Sequence, residues 1–230
     1  KGPFCRPVRD SLPARAPATS GTPSRQNGPM RVGILGLGGM GTVHMRQYTR
    51  MPDVEVLAFD ADPSRCEAAS ALGVSLCPSP EDLVQRADVV DVCVTTDLHH
   101  KFGMNAIASG KAVFMEKPIA LTLEEAVELM SAADKAKVPF TVGLVVRYFP
   151  EFAHANAVVR SGSIGDPAAV RTRRGGVAPR GSRDWFMNHE RSGGVLVDLA
   201  IHDFDWLRWT LGDVKTLYAR SVGAAKRSGP

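Results

Sequence analysis

Short apolar runs rich in β-branched residues alternate with longer segments of helical spacing from residue 30 onward. The runs predict buried strands, and the segments between them predict helices that cover those strands. Strands are expected at residues 31–35, 54–59, 89–94, 112–115 and 140–144, and helices at residues 40–49, 63–72, 80–86, 98–109 and 123–136. This alternation is typical of βαβ units, so it predicts an α/β domain with a parallel sheet and helices on both faces.

The pattern changes after Arg147. The elements expected beyond it are a helix at residues 151–160, a strand at 168–174, one long helix at 194–211 and a strand at 214–219. One long helix and a few strands would leave a sheet edge and a sheet face uncovered. The sequence therefore predicts a parallel-sheet domain over residues 30–147, followed by a partial α+β open-sheet domain over residues 148–230.

Residues 1–29 differ from the rest in composition, with six prolines and no apolar periodicity. Such a segment cannot bury a core, so we expect it to be disordered. Its five basic residues and one acidic residue account for the formal charge of +4, and the remaining chain carries 23 basic and 23 acidic residues. A basic face for nucleic acid is therefore not predicted. The arginine-rich, acid-poor composition also resembles a transit peptide, but the prolines disfavour its amphipathic helix.

Neither a membrane span nor a metal site is expected from the sequence. No stretch approaches the roughly 18 consecutive apolar residues that a spanning helix needs. The cysteines, Cys5, Cys66, Cys77 and Cys93, form no CxxC pair and no His/Cys cluster at zinc-ligand spacing. This pattern favours a reducing, cytoplasmic location.

A glycine-rich turn follows the first predicted strand and opens the first predicted helix. Gly36, Gly38 and Gly41 fit the spacing G-x-G-x-x-G, with Gly39 and Met40 before the last glycine. The three glycines permit a tight turn, close approach of the backbone to a pyrophosphate, and close packing of helix on strand. Amide groups at the helix start can then hold the anion. The motif predicts a dinucleotide-binding Rossmann domain, although glycines also mark ordinary turns between strand and helix.

Asp60 closes the second predicted strand, 19 residues after Gly41. A carboxylate at this offset accepts hydrogen bonds from ribose hydroxyls and repels a 2′-phosphate, so NAD is favoured over NADP. Two observations keep the alternatives open. An aspartate at a strand end can simply cap the next turn, and the guanidinium of Arg65 could accommodate a phosphate.

Glu116 and Lys117 directly follow the fourth main strand, at the carboxyl edge of the predicted sheet. Ligands of open α/β folds bind at this edge. A lysine that is partly desolvated there can relay protons or polarise a hydroxyl group. A solvated surface lysine is the alternative.

Asp198, His202 and Asp205 have the spacing i, i+4 and i+7, which places them on one face of the predicted long helix. A carboxylate one turn from an imidazole can fix its tautomer and raise its basicity, as a general base requires. The alternatives are that His202 is a hydrogen-bonded core histidine and Asp205 a surface group.

Several motifs together carry a family resemblance. They are the glycine turn at residues 36–41, Thr95-Thr96-Asp97-Leu98-His99, Glu116-Lys117-Pro118-Ile119-Ala120, and Gly193-Gly194 leading into Asp198 and His202. In this combination the sequence resembles the glucose–fructose oxidoreductase and inositol dehydrogenase family, Gfo/Idh/MocA, over residues 30 to about 220. The resemblance implies a Rossmann domain followed by an open-sheet α+β domain that carries the substrate face and often mediates homo-oligomer formation.

The resemblance also implies roles for individual residues. Lys117 contacts the reacting hydroxyl near the nicotinamide, His202 acts as acid and base, and Asp198 positions the substrate or the histidine. The cofactor contacts beyond the glycine turn are Asp60, Thr95, Thr96, His99, Glu116 and Lys117. The substrate side comprises Arg147, which matches an arginine at the domain junction, together with Trp185 and His202; Arg173, Asn188 and His189 are further candidates.

The sequence departs from the family pattern at three positions. Thr96 stands where the family usually has proline, and Asp97 and Val145 stand where it often has asparagine. Family members also usually continue beyond the length of this chain. The resemblance implies an NAD(P)-dependent oxidoreductase acting on a sugar, inositol or related polyol. The alternatives are NAD-assisted glycoside cleavage or epimerisation, and a non-catalytic dinucleotide-sensing regulator.

Overall fold

The apolar runs of residues 30–147, called the first region, form a parallel sheet; the residues that follow are called the second region. A computed structural model describes residues 28–175 and 182–220, so nearly all of the segment predicted to be disordered lies outside the described residues. Six strands pair in the order β3-β2-β1-β4-β5-β6. They are β1 (Met30–Leu35), β2 (Val54–Phe59), β3 (Ser75–Leu76), β4 (Val89–Val92), β5 (Ala112–Met115) and β6 (Phe140–Val142).

The strand order reverses at β1, because β2 lies on one side of it and β4 on the other. In doubly wound folds this reversal opens a crevice at the carboxyl ends of the strands, where ligands bind. The connecting helices are α1 (Gly39–Tyr48), α2 (Pro63–Ser70), α3 (Pro80–Arg86), α4 (His99–Ala108) and α5 (Leu123–Ala136). The predicted parallel Rossmann architecture is confirmed.

Two apolar clusters fill the two faces of the sheet. Neighbouring residues of β1 point to opposite faces, so Leu35 belongs to one cluster and Ile34 to the other. The larger cluster joins the strands to Leu83, from α3, and to Leu129, from α5. Helices therefore cover both faces of the sheet, and the apolar side chains buried in both clusters stabilise it.

Local capping groups define where several helices begin. The Thr122 side chain accepts a hydrogen bond from the Glu125 amide, and the Glu125 carboxylate accepts one from the Thr122 amide, which completes a capping box. Asp62 and Ser79 cap α2 and α3, each followed by a proline in the first turn. The sequence missed β3, because this strand has only two residues and both are exposed.

The second region consists of helices and connecting segments. Its described residues contain α6 (Pro150–Arg160), α7 (His189–Ser192), α8 (Gly194–Asp198), α9 (Ile201–Leu211) and a 3-10 turn at Ser182–Met187. Two further 3-10 turns, at Thr96–Leu98 and Val145–Tyr148, lie before α6. Helix α6 packs on α9, where the Trp206 indole donates to the Phe152 carbonyl over 3.0 Å and Asn156 donates to Thr210 over 3.0 Å.

Three element predictions for this region are wrong. The expected helix at 194–211 is broken at Leu199 and Ala200, so α8 and α9 are separate elements. The expected strands at 168–174 and 214–219 are absent, and both segments are exposed. Within the described ranges they have no partner strand, and an isolated strand leaves its backbone hydrogen bonds unmade. None of the described helices is both long and apolar enough to cross a membrane.

Candidate active site

The glycine turn brings three backbone segments into contact at the carboxyl end of β1. Gly36 has a φ of +93°, and a side chain there would lie 2.8 Å from the Cys93 carbonyl oxygen. A Cβ on Gly41 would lie 1.8 Å from the Gly36 carbonyl oxygen. Both positions therefore require glycine. Gly38 precedes α1 as its N-cap, and Gly39 and Met40 are exposed in its first turn.

Asp60 ends β2 beside this turn, as its spacing predicted. Its carboxylate accepts from the Leu37 amide over 2.6 Å and from the Asp62 amide over 2.8 Å. The guanidinium of Arg65 lies 3.4 Å from the same carboxylate and 3.7 Å from where a Cβ on Gly38 would lie. Asp60 therefore shapes the glycine turn as well as bringing a negative charge to it, and Arg65 lies over the turn.

The loop after β4 contacts both regions of the chain. The Arg191 guanidinium of α7 donates to the Asp97 carboxylate over 3.0 Å and to the Thr95 hydroxyl over 3.4 Å. Hydrogen bonds from Thr95 and Arg191, together with the Arg191 charge, lower the pKa of Asp97 in spite of its burial. Thr96 is buried. The loop is therefore fixed by the Arg191 side chain, which approaches from α7.

His99 is held inside the protein. Its two ring nitrogens lie 2.8 Å from the Pro118 carbonyl oxygen and 3.1 Å from the Val94 carbonyl oxygen. Burial lowers the pKa of His99, so the neutral ring can donate to only one carbonyl at a time. This placement links the loops after β4 and β5, and it leaves neither ring nitrogen free for the direct cofactor contact that the resemblance implied.

Lys117 joins the sheet region to the second region. Its ammonium donates to the Asp198 carbonyl over 2.7 Å and to the Asp198 carboxylate over 2.9 Å. Lys117 and Asp198 expose 18% and 8% of their side chains. The alternative of a solvated surface lysine is therefore wrong. The Lys117 amide donates to the Glu116 carboxylate over 3.0 Å, which fixes the turn that presents the ammonium.

His202 lies in the first turn of α9 and is half-buried. Its Nδ1 atom is buried without a hydrogen-bond partner among the residues that the structure describes. Burial, and then the charges of Lys117 and Arg174, lower the pKa of this imidazole. A neutral histidine with an unused ring nitrogen has the properties of a general base.

The prediction that Asp198, His202 and Asp205 share one helical face is wrong. The break between α8 and α9 separates Asp198 from the other two. The Asp198 carboxylate binds Lys117 rather than His202. Asp205 instead accepts two hydrogen bonds from Arg147, over 2.7 and 2.5 Å, so it is an ion-pair partner rather than a surface group.

Arg147 and Trp185, the other expected substrate groups, have partners within the protein. Arg147 also lies 5.6 Å from the centre of the Trp209 ring, and the Asp205 carboxylate raises its pKa. Trp185 stacks on Phe186 at 4.1 Å. No hydrogen bond in the described part of the chain joins Trp185, Asn188 or His189 to Lys117. The structure therefore unites Lys117, Asp198 and the region around His202, but not the wider substrate set.

Asn188 and Arg174 also have partners within the protein. Asn188 caps α7 by accepting from the Glu190 amide over 3.0 Å. Arg174 pairs with Asp203, next to His202, while Arg173 is exposed. A carboxylate of the protein therefore already occupies the Arg174 guanidinium.

A partly buried histidine of α1, the helix that the glycine turn opens, was missed from the sequence. His44 of α1 contacts the Asp91 carboxylate through Nδ1 over 2.9 Å and lies 3.3 Å from the Glu116 carboxylate through Nε2. The Cys93 thiol donates to Asp91 over 3.2 Å. The polar groups of His44, Asp91 and Cys93 lie within 4.8 Å of one another but already bond to each other. The available signal was Asp91, a lone charge within the apolar strand β4.

Two family models match the sequence. Residues 30–144 match the model described as an oxidoreductase family with an NAD-binding Rossmann fold. Residues 152–228 match the GFO/IDH/MocA C-terminal domain. These matches confirm the predicted fold class and the NAD-binding character of the first region.

Known proteins with similar sequences and structures include dehydrogenases. Inositol 2-dehydrogenase of Rhizobium meliloti is 34% identical over 190 residues, which are 80% of this chain and 56% of that protein. A probable dehydrogenase from Thermotoga maritima superimposes with a TM-score of 0.72 at 30% identity, over 80% of this chain and 56% of the other. GenD2 from gentamicin A biosynthesis, solved in complex with NAD, has a TM-score of 0.68 at 26% identity, over 82% of this chain and 55% of the other. This chain spans little more than half the length of these proteins.

Proposed function

Because the chain belongs to the GFO/IDH/MocA family of oxidoreductases, we propose that it transfers a hydride between NAD and a sugar, inositol or related polyol. The observation that carries the proposal is the bond between the Lys117 ammonium and Asp198, at the carboxyl edge of the sheet. A cation from the first region and a buried carboxylate from the second meet beside His202, whose Nδ1 is unpaired among the described groups. This arrangement suits the oxidation of a hydroxyl group.

The cofactor would be held at the glycine turn. Gly36 and Gly41 exclude side chains from the turn, and Gly38, Gly39 and Met40 expose the first amides of α1 to a pyrophosphate. Thr95, Thr96, Glu116 and Lys117 would line the nicotinamide side, with His99 acting through the loops that it links. When bound there, NAD⁺ would supply the acceptor for the hydride that leaves the carbon bearing the reacting hydroxyl.

Asp60 favours NAD over NADP in this proposal. Only 9% of the Asp60 side chain is exposed, and its carboxylate already accepts hydrogen bonds from two backbone amides. A 2′-phosphate placed near it would be repelled by about 1–4 kcal/mol, depending on the local dielectric. Arg65 reduces this repulsion, since its guanidinium lies within 3.4 Å of the same carboxylate.

Two side chains of this protein would handle the proton and the developing charge. His202 would accept the hydroxyl proton on its imidazole ring, because its lowered pKa keeps the ring neutral near pH 7. The Lys117 ammonium stabilises the alkoxide that develops as the proton leaves. Asp198 positions Lys117, which revises the role that the resemblance gave it.

The substrate would rest between the two regions, with a domain boundary near residue 147. Arg147 would contribute by holding α9, and with it His202, through the ion pair with Asp205. Trp185, which stacks on Phe186, would offer an aromatic surface to the substrate. The polyol class is supported by the similarity to inositol 2-dehydrogenase.

Calorimetric titration of the chain with NAD⁺ and NADP⁺ tests the proposal. We expect NAD⁺ to bind more tightly, and Asp60→Ala to narrow the difference between the two cofactors. Glu67→Ala, an exposed carboxylate in α2, is the matched control and should leave both affinities unchanged. Binding of neither cofactor to a folded sample would contradict the proposal. Polyol consumption without net NADH would instead favour NAD-assisted cleavage or epimerisation.

A further inference from the structure

His44 lies beneath the candidate site, between two carboxylates. It projects from α1 and exposes only 14% of its side chain, while Asp91 is fully buried and Glu116 exposes 8%. The rings of Tyr48 and Phe114 contact the imidazole edge-on, at 6.3 and 5.6 Å between centroids. A polar cluster of this kind, enclosed by aromatic rings and sheet, is not needed to build a Rossmann core.

We propose that His44 is a positioning residue: as an imidazolium bound to Asp91, it holds the carboxylate of Glu116 and thereby the turn that presents Lys117. The kinetic consequence rests on the proposed function, whereas the charge state of His44 does not. Neither the glycine motif nor the family match assigns His44 this role.

The charges around His44 require a cation. Asp91 and Glu116 face the ring from β4 and from the end of β5, and two buried carboxylates without a counter-charge are costly. The other titratable groups that face it, Cys93 and Tyr48, stay neutral, because burial raises the pKa of both. The hydrogen bond to Asp91, and then the nearby Glu116 carboxylate, raise the pKa of His44 to about 10, against the opposing effect of burial.

A chain of direct contacts connects His44 to the ammonium of Lys117. Glu116 Oε1 lies 3.3 Å from His44 Nε2, while Glu116 Oε2 accepts from the Lys117 amide over 3.0 Å. The space around the carboxylate is tight, since a Cβ on Gly143 would lie 3.3 Å from Oε1. Loss of the imidazolium would leave the Glu116 carboxylate free to turn away, and the Lys117 turn would lose a fixed acceptor.

The first experiment measures the charge state of His44 without reference to activity. Nitrogen-15 spectra of the histidine side chains, recorded on the full chain, should show both His44 nitrogens protonated at pH 8. His44→Gln assigns the resonance by removing it. In Glu116→Gln, the titration midpoint of His44 should fall by a unit or more, since one unit corresponds to about 1.4 kcal/mol of lost interaction. A neutral His44 ring at pH 7, or a midpoint unmoved by Glu116→Gln, would overturn the proposal.

The second experiment measures the consequence for the site. His44→Gln should lower kcat by up to about 100-fold with a smaller change in KM, because small misplacement of a catalytic group costs that much. His100→Gln is the control, since the His100 ring pairs with Glu128 over 2.8 Å in an exposed contact. Equal kcat in the two variants would overturn the positioning role. A wild-type chain without turnover would contradict the proposed function alone, and the spectra would still decide the charge state.

Discussion

In residues 30–142 each strand pairs with a neighbour and both faces of the sheet are covered by helices. In the second region, by contrast, residues 161–175 and 211–220 are exposed throughout. The first region is held by backbone pairing and apolar burial. The second is held to it by polar contacts between side chains, above all Lys117 with Asp198 and Arg147 with Asp205.

The comparison teaches that the two halves of the candidate site depend on different physics. The place of Lys117 in the chain follows from the register of β5, and the Glu116 carboxylate fixes the turn that presents its ammonium. The position of His202 follows from α9, which ion pairs, two hydrogen bonds to α6 and aromatic contacts hold in place. Substitutions should therefore separate the two halves.

The largest effect is expected at the contact between the halves. Lys117→Ala removes the cation that stabilises the developing alkoxide, so hydride transfer should fall by about 100- to 1000-fold, the range seen when one such donor is lost. NAD⁺ affinity should remain nearly intact, because the glycine turn is untouched. Parallel measurements of kcat and of NAD⁺ binding check this, with the exposed Lys135→Ala as the control. Loss of both NAD⁺ binding and turnover in Lys117→Ala would contradict the role assigned to Lys117.

A smaller effect is expected within the backbone-held half. Gly41→Ala should destabilise the fold by about 1–3 kcal/mol, because its Cβ would lie 1.8 Å from the Gly36 carbonyl oxygen. Gly39→Ala should leave the midpoint of thermal unfolding unchanged, since open space surrounds that position. The same midpoint for both variants would show that the turn is less closely packed than described.

The half held by side chains should loosen locally. Asp205→Asn weakens the pair of hydrogen bonds with Arg147, so α9 should lose about 1–3 kcal/mol of its free energy of protection against hydrogen exchange. Hydrogen exchange should then speed up in α6 and α9 but not in the sheet. Asp213→Asn is the control, because its pair with Arg208 is exposed and worth little. Faster exchange in the sheet would mean that the two regions unfold as one unit.

The pH dependence of activity sharpens the assignment of His202. The pKa of His202 is lowered in the folded chain, so the neutral base persists below the ordinary value of about 6.5. The plot of kcat/KM against pH should therefore have its inflection below about 6.5, and kcat/KM should fall about tenfold per pH unit only at pH values below that inflection. The lowered pKa also favours folding above about pH 6.5, a contribution that is lost on acidification. Arg174→Gln removes one cause of the shift and should move the inflection upward. The exposed Arg171→Gln should not move it.

The sequence predicted most of the first region because its rules are local. Helices α3 and α5 begin and end at the predicted residues, since Ser79 and Thr122 cap them and apolar periodicity defines their buried faces. The strands predicted at 168–174 and 214–219 failed for the opposite reason. Their residues favour extended backbone, but a strand also needs a partner, and local sequence does not supply one.

The candidate site shows the same division. The residues of the glycine turn, Asp60 and Lys117 follow strand ends, so a parallel sheet brings them to one edge. The pairing of Asp198 with Lys117 was not predictable, because it depends on the break at Leu199 and on a contact between residues 81 positions apart. Spacing along an assumed single helix instead paired Asp198 with His202.

The bonds of Lys117 set a limit on what the site can hold. An ammonium group has three N–H donors, and the carbonyl and carboxylate of Asp198 accept two of them. One donor is left for an incoming oxygen atom. A ligand that presents two acceptors to Lys117 must therefore displace Asp198 from one of its bonds, so occupancy of the crevice and the attachment of α8 are linked through a single nitrogen atom.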